Sequence, residues 1–568
     1  MAEFFQDGPR LSNTWDGDRA LRRCLARLLP ADVLAEVGPG LRSLGARAAG
    51  EMAELAAAAE ASPPRHVPFD AWGRRVDRIE TSPAWERLHA IAAEEGIVAT
   101  AYERRHGPLS RLHQFARLYL YHPSSAIASC PLAMTDGAAR VLELFADEEL
   151  AARALPHLLS RDPATFWTSG QWMTERAGGS DVGDTATVAR RDGARFRLHG
   201  SKWFTSATSA PMALTLARLE GAPAGSRGLT LFYLELRDER GELQGVRVLR
   251  LKDKLGTRAL PTAELELDGV PARQVGEAGR GVATVATLLN VTRLYNACCA
   301  TGTLARALQL ARDYARRRRA FGRPLAAHAL HVETLAGLAA EHAAALQLTF
   351  RCAELCGREE TGEATAAERA LLRLLTPIAK ALTGRQAVAG AAEALEAFGG
   401  AGYVEDTGLP VLLRDAQVLA IWEGTTNVLA LDALRAAARE EALPPLVADL
   451  ERLLAAARGG PLVEAAHRLR QLAGACQAWW RRTAPEGGEA LEMGARAFAL
   501  GLGRAYAGAL LVAQAAWEVE QGDGEEASSA VAVARRFAEA HLSAPPGLSA
   551  DADAARRLVF AGEPEEGA

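Results

Sequence analysis

Lysine is scarce in this sequence. Only Lys202, Lys252, Lys254 and Lys380 occur, so arginine supplies nearly all of the 65 basic side chains. Together with the many alanines, this bias is typical of a GC-rich genome, and arginine-rich patches alone therefore do not indicate nucleic-acid binding. The formal net charge of −5 points the same way.

Several other signals are also missing. The seven cysteines show no paired spacing of a disulfide framework or zinc site. The first residues lack the basic-then-apolar order of a signal peptide, and no uninterrupted run of about 18 apolar residues is present for a membrane span. We therefore expect a cytoplasmic protein with reduced thiols, no bound metal and no membrane association.

The chain is 568 residues long, too long for one core, and its patterning changes three times. Residues 1–165 carry apolar residues at helical spacing, and 166–275 carry short alternating segments separated by turns. Long Ala/Leu stripes follow over 276–440, and a further helical region with an acidic tail covers 441–568. The sequence thus predicts an α+β fold that is mainly α: an N-terminal helical domain, a small antiparallel β domain, a four-helix-bundle domain and an extra helical region.

Segment 421–428 carries the most informative chemical signal. Glu423 stands between Trp422 and a Gly-Thr turn, directly before a helix-like run. A carboxylate among apolar neighbours suits removal of a carbon-bound proton near neutral pH. Gly424 allows close approach of the backbone to a ligand, and Thr425 and the helix start offer donors. Taken alone, the segment is equally well explained as a surface turn.

Five other segments carry weaker signals. Segment 172–182 is either a simple loop or a set of donors for a ring edge or phosphate. Segment 202–206 pairs an indole with hydroxyls, as a flavin site or a buried strand would. The Gly-rich turn 398–403 is weak alone, and the basic run 316–324 suits any helix end. Segment 276–281 lacks the βα lead-in of a dinucleotide loop and predicts a linker.

Taken together and in order, these motifs resemble the acyl-CoA dehydrogenase flavoprotein superfamily over roughly residues 70–435. The matching segments are 174–181, 203–205, 254–258, 265–271, 318–324, 398–403 and 422–425. Finer details resemble its adaptive-response (AidB-type) branch. Arg176 follows Thr-Glu where proline is usual, Trp422 precedes the base where tyrosine is commoner, and helices continue beyond residue 440.

The resemblance implies FAD as the cofactor. The residues that it assigns to FAD are Met173, Thr174, Ser180, Trp203, Thr205, Arg318, Phe321, Gly399, Gly400 and Thr425. Met173 and Thr174 would meet the pyrimidine edge and Ser180 the pyrophosphate, while Trp203 would lie against the isoalloxazine and Thr205 would donate to its N5. Arg318, Phe321 and the Gly399–Gly400 turn would reach the FAD of a neighbouring subunit. We therefore expect a homo-oligomer, most simply a tetramer.

For the chemistry, the resemblance implies that Glu423 is the catalytic base for α,β-dehydrogenation of an acyl-CoA. Arg293 would contact the substrate region. A second base location known in the family lies just before Arg293 and holds Thr292 here, which favours Glu423. Electrons would pass to an electron-transfer flavoprotein.

Two alternatives remain open: a stress-response flavoprotein that associates with DNA and turns over weakly, and a degenerate FAD-binding scaffold. In the AidB-type branch, DNA binding is attributed to a basic C-terminal region. Here residues 441–568 hold 12 arginines and no lysine against 18 acidic residues, a net of −6. Phosphate-backbone binding draws on clustered positive charge, so DNA binding is not favoured and the enzyme is the first hypothesis.

Overall fold

The computed structural model describes residues 7–522 and 524–540. Its N-terminal part is helical apart from one hairpin. The elements are α1 (Arg19–Leu28), α2 (Ala31–Ala49), α3 (Glu51–Ala61), β1 (Arg65–Phe69), β2 (Arg75–Glu80), α4 (Pro83–Glu94), α5 (Ala99–Glu103), α6 (Ser110–Tyr121), α7 (Ser129–Phe145) and α8 (Glu148–Leu158). The β1–β2 hairpin was absent from the sequence prediction. Its turn forms because Asp70 accepts the N–H groups of Trp72 and Arg74, each at 2.9 Å.

The middle part is a β domain. Its strands are β3 (Ser169–Trp172), β4 (Val188–Asp192), β5 (Arg195–Ser206), β6 (Met212–Leu219), β7 (Leu229–Glu235), β8 (Val246–Leu251) and β9 (Thr262–Val275). Pairing runs from β6 through β4, β5, β9 and β7 back to β6, so the sheet closes on itself. The predicted purely antiparallel sheet needs a correction, because β3 and β4 both pair parallel with β6.

A helical bundle follows the β domain. Its elements are α9 (Gly281–Arg317), β10 (Arg319–Ala320), β11 (Arg323–Pro324), α10 (Ala329–Glu360), α11 (Ala366–Ala397), α12 (Val411–Leu419) and α13 (Thr426–Arg439). Helices α9, α10 and α11 pack against one another, and α13 packs against α11. Segment 276–281 connects β9 to α9, as the linker prediction states. Thr365 and Glu368 form a capping box that begins α11.

The C-terminal region adds α14 (Leu443–Leu454), α15 (Gly460–Thr483), α16 (Gly488–Glu520) and α17 (Gly524–Ala540). Within the described residues, α16 is the one helix long and apolar enough to cross a membrane, which the run-length criterion missed. Of its apolar window, 78% is buried inside the fold, where α16 packs against α10, α11, α13, α15 and α17. The predicted acidic tail lies outside the described residues. The predicted mainly-α, α+β fold is confirmed.

Candidate active site

Glu423 lies in the turn between α12 and α13. Its backbone is left-handed, with φ of 58°, and Gly424 follows with φ of 110°. A left-handed non-glycine residue costs about 1 kcal/mol or more. A Cβ at position 424 would lie 3.1 Å from Leu429 Cδ2, so this position favours glycine for space as well as for conformation. Other contacts must hold the turn in this shape.

Three side chains from α9 and α11 supply those contacts. Thr292 Oγ1 donates to Glu423 Oε2 at 2.6 Å, which fixes the carboxylate. Arg293 Nε donates to the Glu423 carbonyl at 3.2 Å, and Lys380 Nζ donates to the Gly424 carbonyl at 2.7 Å. The two peptide groups after the candidate base are therefore each held by a cationic side chain.

Asp432 of α13 organises the cations behind the turn. Its carboxylate accepts hydrogen bonds from Arg293 Nη1 and Arg373 Nη2, both at 2.7 Å. Burial acts to raise the pKa of Asp432, but the hydrogen bond from Arg373 and the charge of Arg293 hold that pKa below its usual range. An ionised Asp432 thus keeps Arg293 oriented toward the Glu423 carbonyl.

Lys380 is fully buried. Burial lowers its pKa to about 7, although the neighbouring Glu423 acts in the opposite direction and Arg293 lowers it further. The hydrogen bond found for its ammonium within the described residues is the one to Gly424. The side chain that holds the residue after the candidate base therefore has a pKa near neutral.

Trp422 connects the turn to α9. Its indole N–H donates to Asn296 Oδ1, and Asn296 Nδ2 donates to the Leu419 carbonyl at 2.9 Å. The side chain of Asn296 therefore bridges the end of α12 and the residue before the base. This bridge fixes the direction in which the chain leaves α12 and runs to Glu423.

Cys130 of α7 is a buried thiol whose pKa depends on the candidate base and on residues of the β domain. Burial raises the pKa of its thiol, Glu423 raises it further, and Lys254 and a hydrogen bond with Ser206 lower it. The charges of Glu423 and Lys254 and the Ser206 hydroxyl at the end of β5 thus all act on one buried thiol.

The predicted flavin segments 172–182 and 202–206 are joined by direct contacts. The Trp203 N–H donates to the Thr174 carbonyl at 3.0 Å. Next to this bond, the buried pair Lys202 Nζ and Glu175 Oε1 lies at 2.7 Å, and Glu175 also accepts the Ala186 N–H at 2.7 Å. The Glu175 carboxylate thus ties both ends of the loop that carries Ser180, which is itself exposed.

Two cations lie over the Trp203 indole. Lys252 Nζ is 3.5 Å from the ring centroid, and the guanidinium carbon of Arg176 is 5.4 Å from it. Lys252 also donates to Glu264 Oε1 at 2.6 Å, so its position is anchored. The indole is thus held by cation–π contacts, and Arg176, unusual for the motif, takes part in them.

The predicted role of Thr205, donation of a hydrogen bond to flavin N5, competes with a hydrogen bond inside the sheet. Its side chain is fully buried, and its hydroxyl donates to the Ala263 carbonyl at 2.7 Å. A hydroxyl has one hydrogen to donate, so donation to flavin N5 requires this bond to be given up. The cause is the sheet register, which pairs Thr205 with Ala263.

Arg318, Phe321, Gly399 and Gly400 lie together at one end of the bundle and are all exposed. The rings of Tyr314 and Phe398, 5.3 Å apart, pack the two segments against each other. The space beside Gly399 and Gly400 is open, since a Cβ at either position would have no atom within 4 Å. Within the described residues, no hydrogen bond or ion pair links this group to the Glu423 turn.

Two predicted FAD residues remain, Met173 and Thr425, together with the prediction that no metal is bound. Met173 is buried beside Thr174, and exposed Thr425 is the N-cap residue of α13. Across residues 7–522 and 524–540, no group of three or more His, Cys, Asp or Glu side chains is arranged to hold a metal ion.

Sequence reasoning missed Cys130, Lys380, Arg373 and Asp432. A signal for one of them was present. All four lysines lie at the candidate site: Lys202 binds Glu175, Lys252 covers Trp203, Lys254 lies near Cys130, and Lys380 holds Gly424. In a chain that otherwise uses arginine, a retained lysine marks a position where a compact ammonium is needed.

Comparison with known proteins identifies the family. Four family models match: the adaptive response protein AidB N-terminal domain over residues 9–163, the acyl-CoA dehydrogenase middle domain over 170–270, its C-terminal domain over 279–438, and an acyl-CoA dehydrogenase 11 C-terminal domain-like model over 441–557.

Among individual proteins, acyl-CoA dehydrogenase family member 11 of Caenorhabditis elegans is 48% identical over 443 residues, which are 76% of this chain and 72% of that protein. The putative acyl-CoA dehydrogenase AidB of Escherichia coli is 32% identical over 460 residues, 77% of this chain and 80% of that protein.

Solved structures agree. The structure of C. elegans ACDH-11 in complex with C11-CoA matches with a TM-score of 0.94 and 40% identity, and covers 99% of this chain and 98% of that one. The structure of Bd2924 in its apo-form matches with a TM-score of 0.84 and 54% identity, over 90% of this chain and 100% of that one. This protein therefore belongs to the acyl-CoA dehydrogenase family, in its AidB-like branch.

Proposed function

We propose that this protein is an FAD-dependent acyl-CoA dehydrogenase that converts an acyl thioester to its 2-enoyl thioester. The observation that carries the proposal is the Glu423 carboxylate, fixed by Thr292 at 2.6 Å on a turn held by Arg293 and Lys380. A general base must be positioned before its basicity matters. These contacts hold one carboxylate in a fixed position on the turn before α13.

In the proposed reaction, Glu423 takes the proton from the α-carbon, and the C–H electron pair becomes the new carbon–carbon double bond as a hydride leaves the β-carbon. Bound FAD would accept that hydride. An α-C–H is acidic enough only if the thioester carbonyl is polarised. Among the described residues the Glu423 N–H has no intramolecular hydrogen-bond partner, so it is free to donate to that carbonyl.

The residues present fit FAD. Thr174 and Trp203 are joined backbone to backbone, so the pyrimidine-edge and ring-face contacts belong to one unit. A Cβ at Gly179 would lie 2.4 Å from Thr174 Oγ1, which shows how closely the loop before Ser180 packs on that unit. Met173, Thr174, Trp203 and the 178–180 loop would hold the isoalloxazine and pyrophosphate.

The exposed group at the end of the bundle supports a homotetramer in which FAD contacts cross between subunits. Phe321 is 98% exposed and Tyr403 is 91% exposed. Large apolar side chains that project so far into solvent beside Arg318 and Gly399 are typical of an interface. Within one chain they have no role at the Glu423 turn.

For the substrate, we propose a CoA thioester with an acyl chain of medium length. The support is ACDH-11, whose structure holds C11-CoA and whose fold covers nearly this whole chain. As electron acceptor we propose an electron-transfer flavoprotein, as in the family at large. A cytoplasmic location fits the seven free, buried cysteines.

The second candidate is an alkylation-stress flavoprotein that associates with DNA. Its support is the AidB N-terminal domain match over residues 9–163. The net charge of −6 over residues 441–568 weighs against it. We therefore place the dehydrogenase first.

Anaerobic flavin bleaching tests the proposal. FAD-loaded protein is mixed with straight-chain acyl-CoAs around C11, and loss of the oxidised flavin absorbance is followed by stopped flow. Glu423→Gln should keep the oxidised spectrum but slow bleaching about 100- to 10,000-fold, because an amide cannot accept the α-proton. Wild-type protein that is not bleached by any chain length, or a variant that is bleached at the wild-type rate, would refute it.

A further inference from the structure

A cavity of about 180 Å³ lies where α1, the bundle helices α9 and α10, and the C-terminal helices α16 and α17 meet. None of its lining residues belongs to the candidate active site. An apolar cavity of about 150 Å³ admits benzene, so this one can hold a molecule of at least that size. It lies at the junction of three parts of the chain.

One side of the cavity is apolar. Leu308 of α9, Leu346 of α10 and Leu511 of α16 are all buried and line it, and Val533 of α17 joins them. These side chains come from separate helices, so the wall exists only in the assembled fold. A hydrocarbon body placed here would be removed from water.

Charged side chains of both signs also line the cavity. Glu518 pairs with Arg19 at 3.3 Å and with Arg23 at 3.6 Å. Asp18 accepts the Leu21 N–H at 2.9 Å and the Tyr119 hydroxyl. Glu518 is therefore paired with cations, whereas Asp18 keeps its charge. With three arginines (Arg19, Arg23 and Arg312) against these two carboxylates, the lining as a whole carries a net charge of +1, which favours an anion.

Arg312 differs from Arg19 and Arg23, the other arginines that line the cavity, because it has no ion-pair partner among the described residues. It is exposed at the rim, and it makes no hydrogen bond or ion pair within the described part of the chain. Its charge still reaches the cavity. Burial lowers the pKa of His342, Asp18 acts to raise it, and Arg312 lowers it. A neutral His342 and a cationic Arg312 therefore face the same space.

We propose that this cavity binds a monocarboxylate with an apolar body of about six to eight carbons. The carboxylate would lie on Arg312, whose guanidinium can bind both oxygens. The hydrocarbon would pack against Leu308, Leu346 and Leu511. The proposal does not depend on the proposed dehydrogenase activity.

Calorimetric titration of the FAD-loaded full-length protein tests this site, with octanoate, octan-1-ol and octylamine as probes. Arg312→Gln removes the head-group contact. Arg316→Gln, an exposed position on the same helix that does not line the cavity, is the matched control. Octanoate should bind wild type and R316Q equally, and R312Q at least about ten-fold more weakly, because a charged hydrogen bond is lost. Octylamine and octan-1-ol should bind more weakly than octanoate.

A second variant and a competitor separate this cavity from the acyl-CoA site. Ala343→Met, which extends a side chain into the cavity, should also weaken octanoate while its thermal unfolding remains cooperative. Saturation with C11-CoA should leave octanoate binding in place. The proposal is wrong if octanoate does not bind at about 10 mM, if R312Q binds as tightly as R316Q, or if C11-CoA displaces octanoate.

Discussion

Lys380 donates a hydrogen bond to the carbonyl of Gly424 at 2.7 Å, and this bond joins α11 to the turn that carries the candidate base. The preceding carbonyl, that of Glu423, is held by Arg293 at 3.2 Å. The carbonyls of this left-handed glutamate and of the residue after it are thus held by hydrogen bonds from basic side chains on separate helices. The stability of the fold and the geometry of the base are linked through Lys380.

This link gives a pH dependence of stability. Burial lowers the pKa of Lys380 from its ordinary 10.5 to about 7. Between these values the unfolded chain binds a proton that the folded chain does not, so the free energy of unfolding rises with pH. Below about pH 7 the full cost of the buried charge is present. Lys380→Met removes that cost, so its stability relative to wild type should fall by about 2–3 kcal/mol between pH 7 and 9.

Urea denaturation at several pH values measures this difference. Arg306→Met is the control, because Arg306 is also a buried cation. Burial lowers its pKa to about 10, which is above the pH range in which the effect of Lys380 is measured. Its stability relative to wild type should change little between pH 7 and 9. If K380M and R306M showed the same pH dependence, the assignment to Lys380 would be wrong.

Thr292→Val should slow flavin bleaching by acyl-CoA without changing the oxidised flavin spectrum. The change removes the 2.6 Å hydrogen bond to Glu423. A hydrogen bond to a charged group contributes about 1.5–3 kcal/mol, so a loss of about 10- to 100-fold is expected. Thr292→Ser keeps the hydroxyl and should retain most of the rate. Equal rates for the valine and serine variants would exclude this role.

Arg318→Ala should weaken both FAD retention and assembly. Arg318 is exposed beside Phe321 at the end of the bundle, and the proposed role of this group is toward another subunit. Size-exclusion chromatography with light scattering and flavin absorbance measures both effects. Arg316→Ala, exposed at the end of the preceding helix, should change neither. A monomeric wild type that keeps its flavin would contradict the proposal.

Duplex DNA should bind weakly and with steep salt dependence, if it binds at all. Residues 441–568 carry a net charge of −6, so any contact would rest on local arginines such as Arg481 and Arg482. Several phosphate contacts predict a loss of about 1,000-fold or more between 50 and 200 mM salt. Fluorescence anisotropy at both salts measures this. Sub-micromolar binding at 200 mM, lost on deletion of residues 441–568, would move the stress-response hypothesis to first place.

The mainly-α fold could be predicted because apolar spacing is a local property of the chain. The stripe of α9 and the alternation of β7 and β9 needed no knowledge of the rest of the molecule. The β1–β2 hairpin and the parallel pairings of β6 were not predicted. They depend on which segments meet in space, and short strands carry little periodic signal of their own.

The residues of the candidate site also divide into those that local sequence predicts and those that only tertiary contacts reveal. Glu423 was found because its signal is contiguous with Trp422 and Gly424. Lys380 was missed because it lies 44 residues from the carbonyl that it binds, although the scarcity of lysine was visible from the start. Thr205 was assigned as a donor to flavin N5, but the register of β5 and β9 directs its hydroxyl to the carbonyl of Ala263.

By itself, then, the sequence determined the helical and strand segments, the family resemblance and the candidate base, because each is encoded in neighbouring or regularly spaced residues. Only the tertiary structure decided which cations hold the Glu423 turn, how Asp432 orients them, and that a cavity rimmed by Arg312 opens between distant helices. Those contacts join residues that are far apart in the chain, and packing of the whole fold is the physical cause that brings them together.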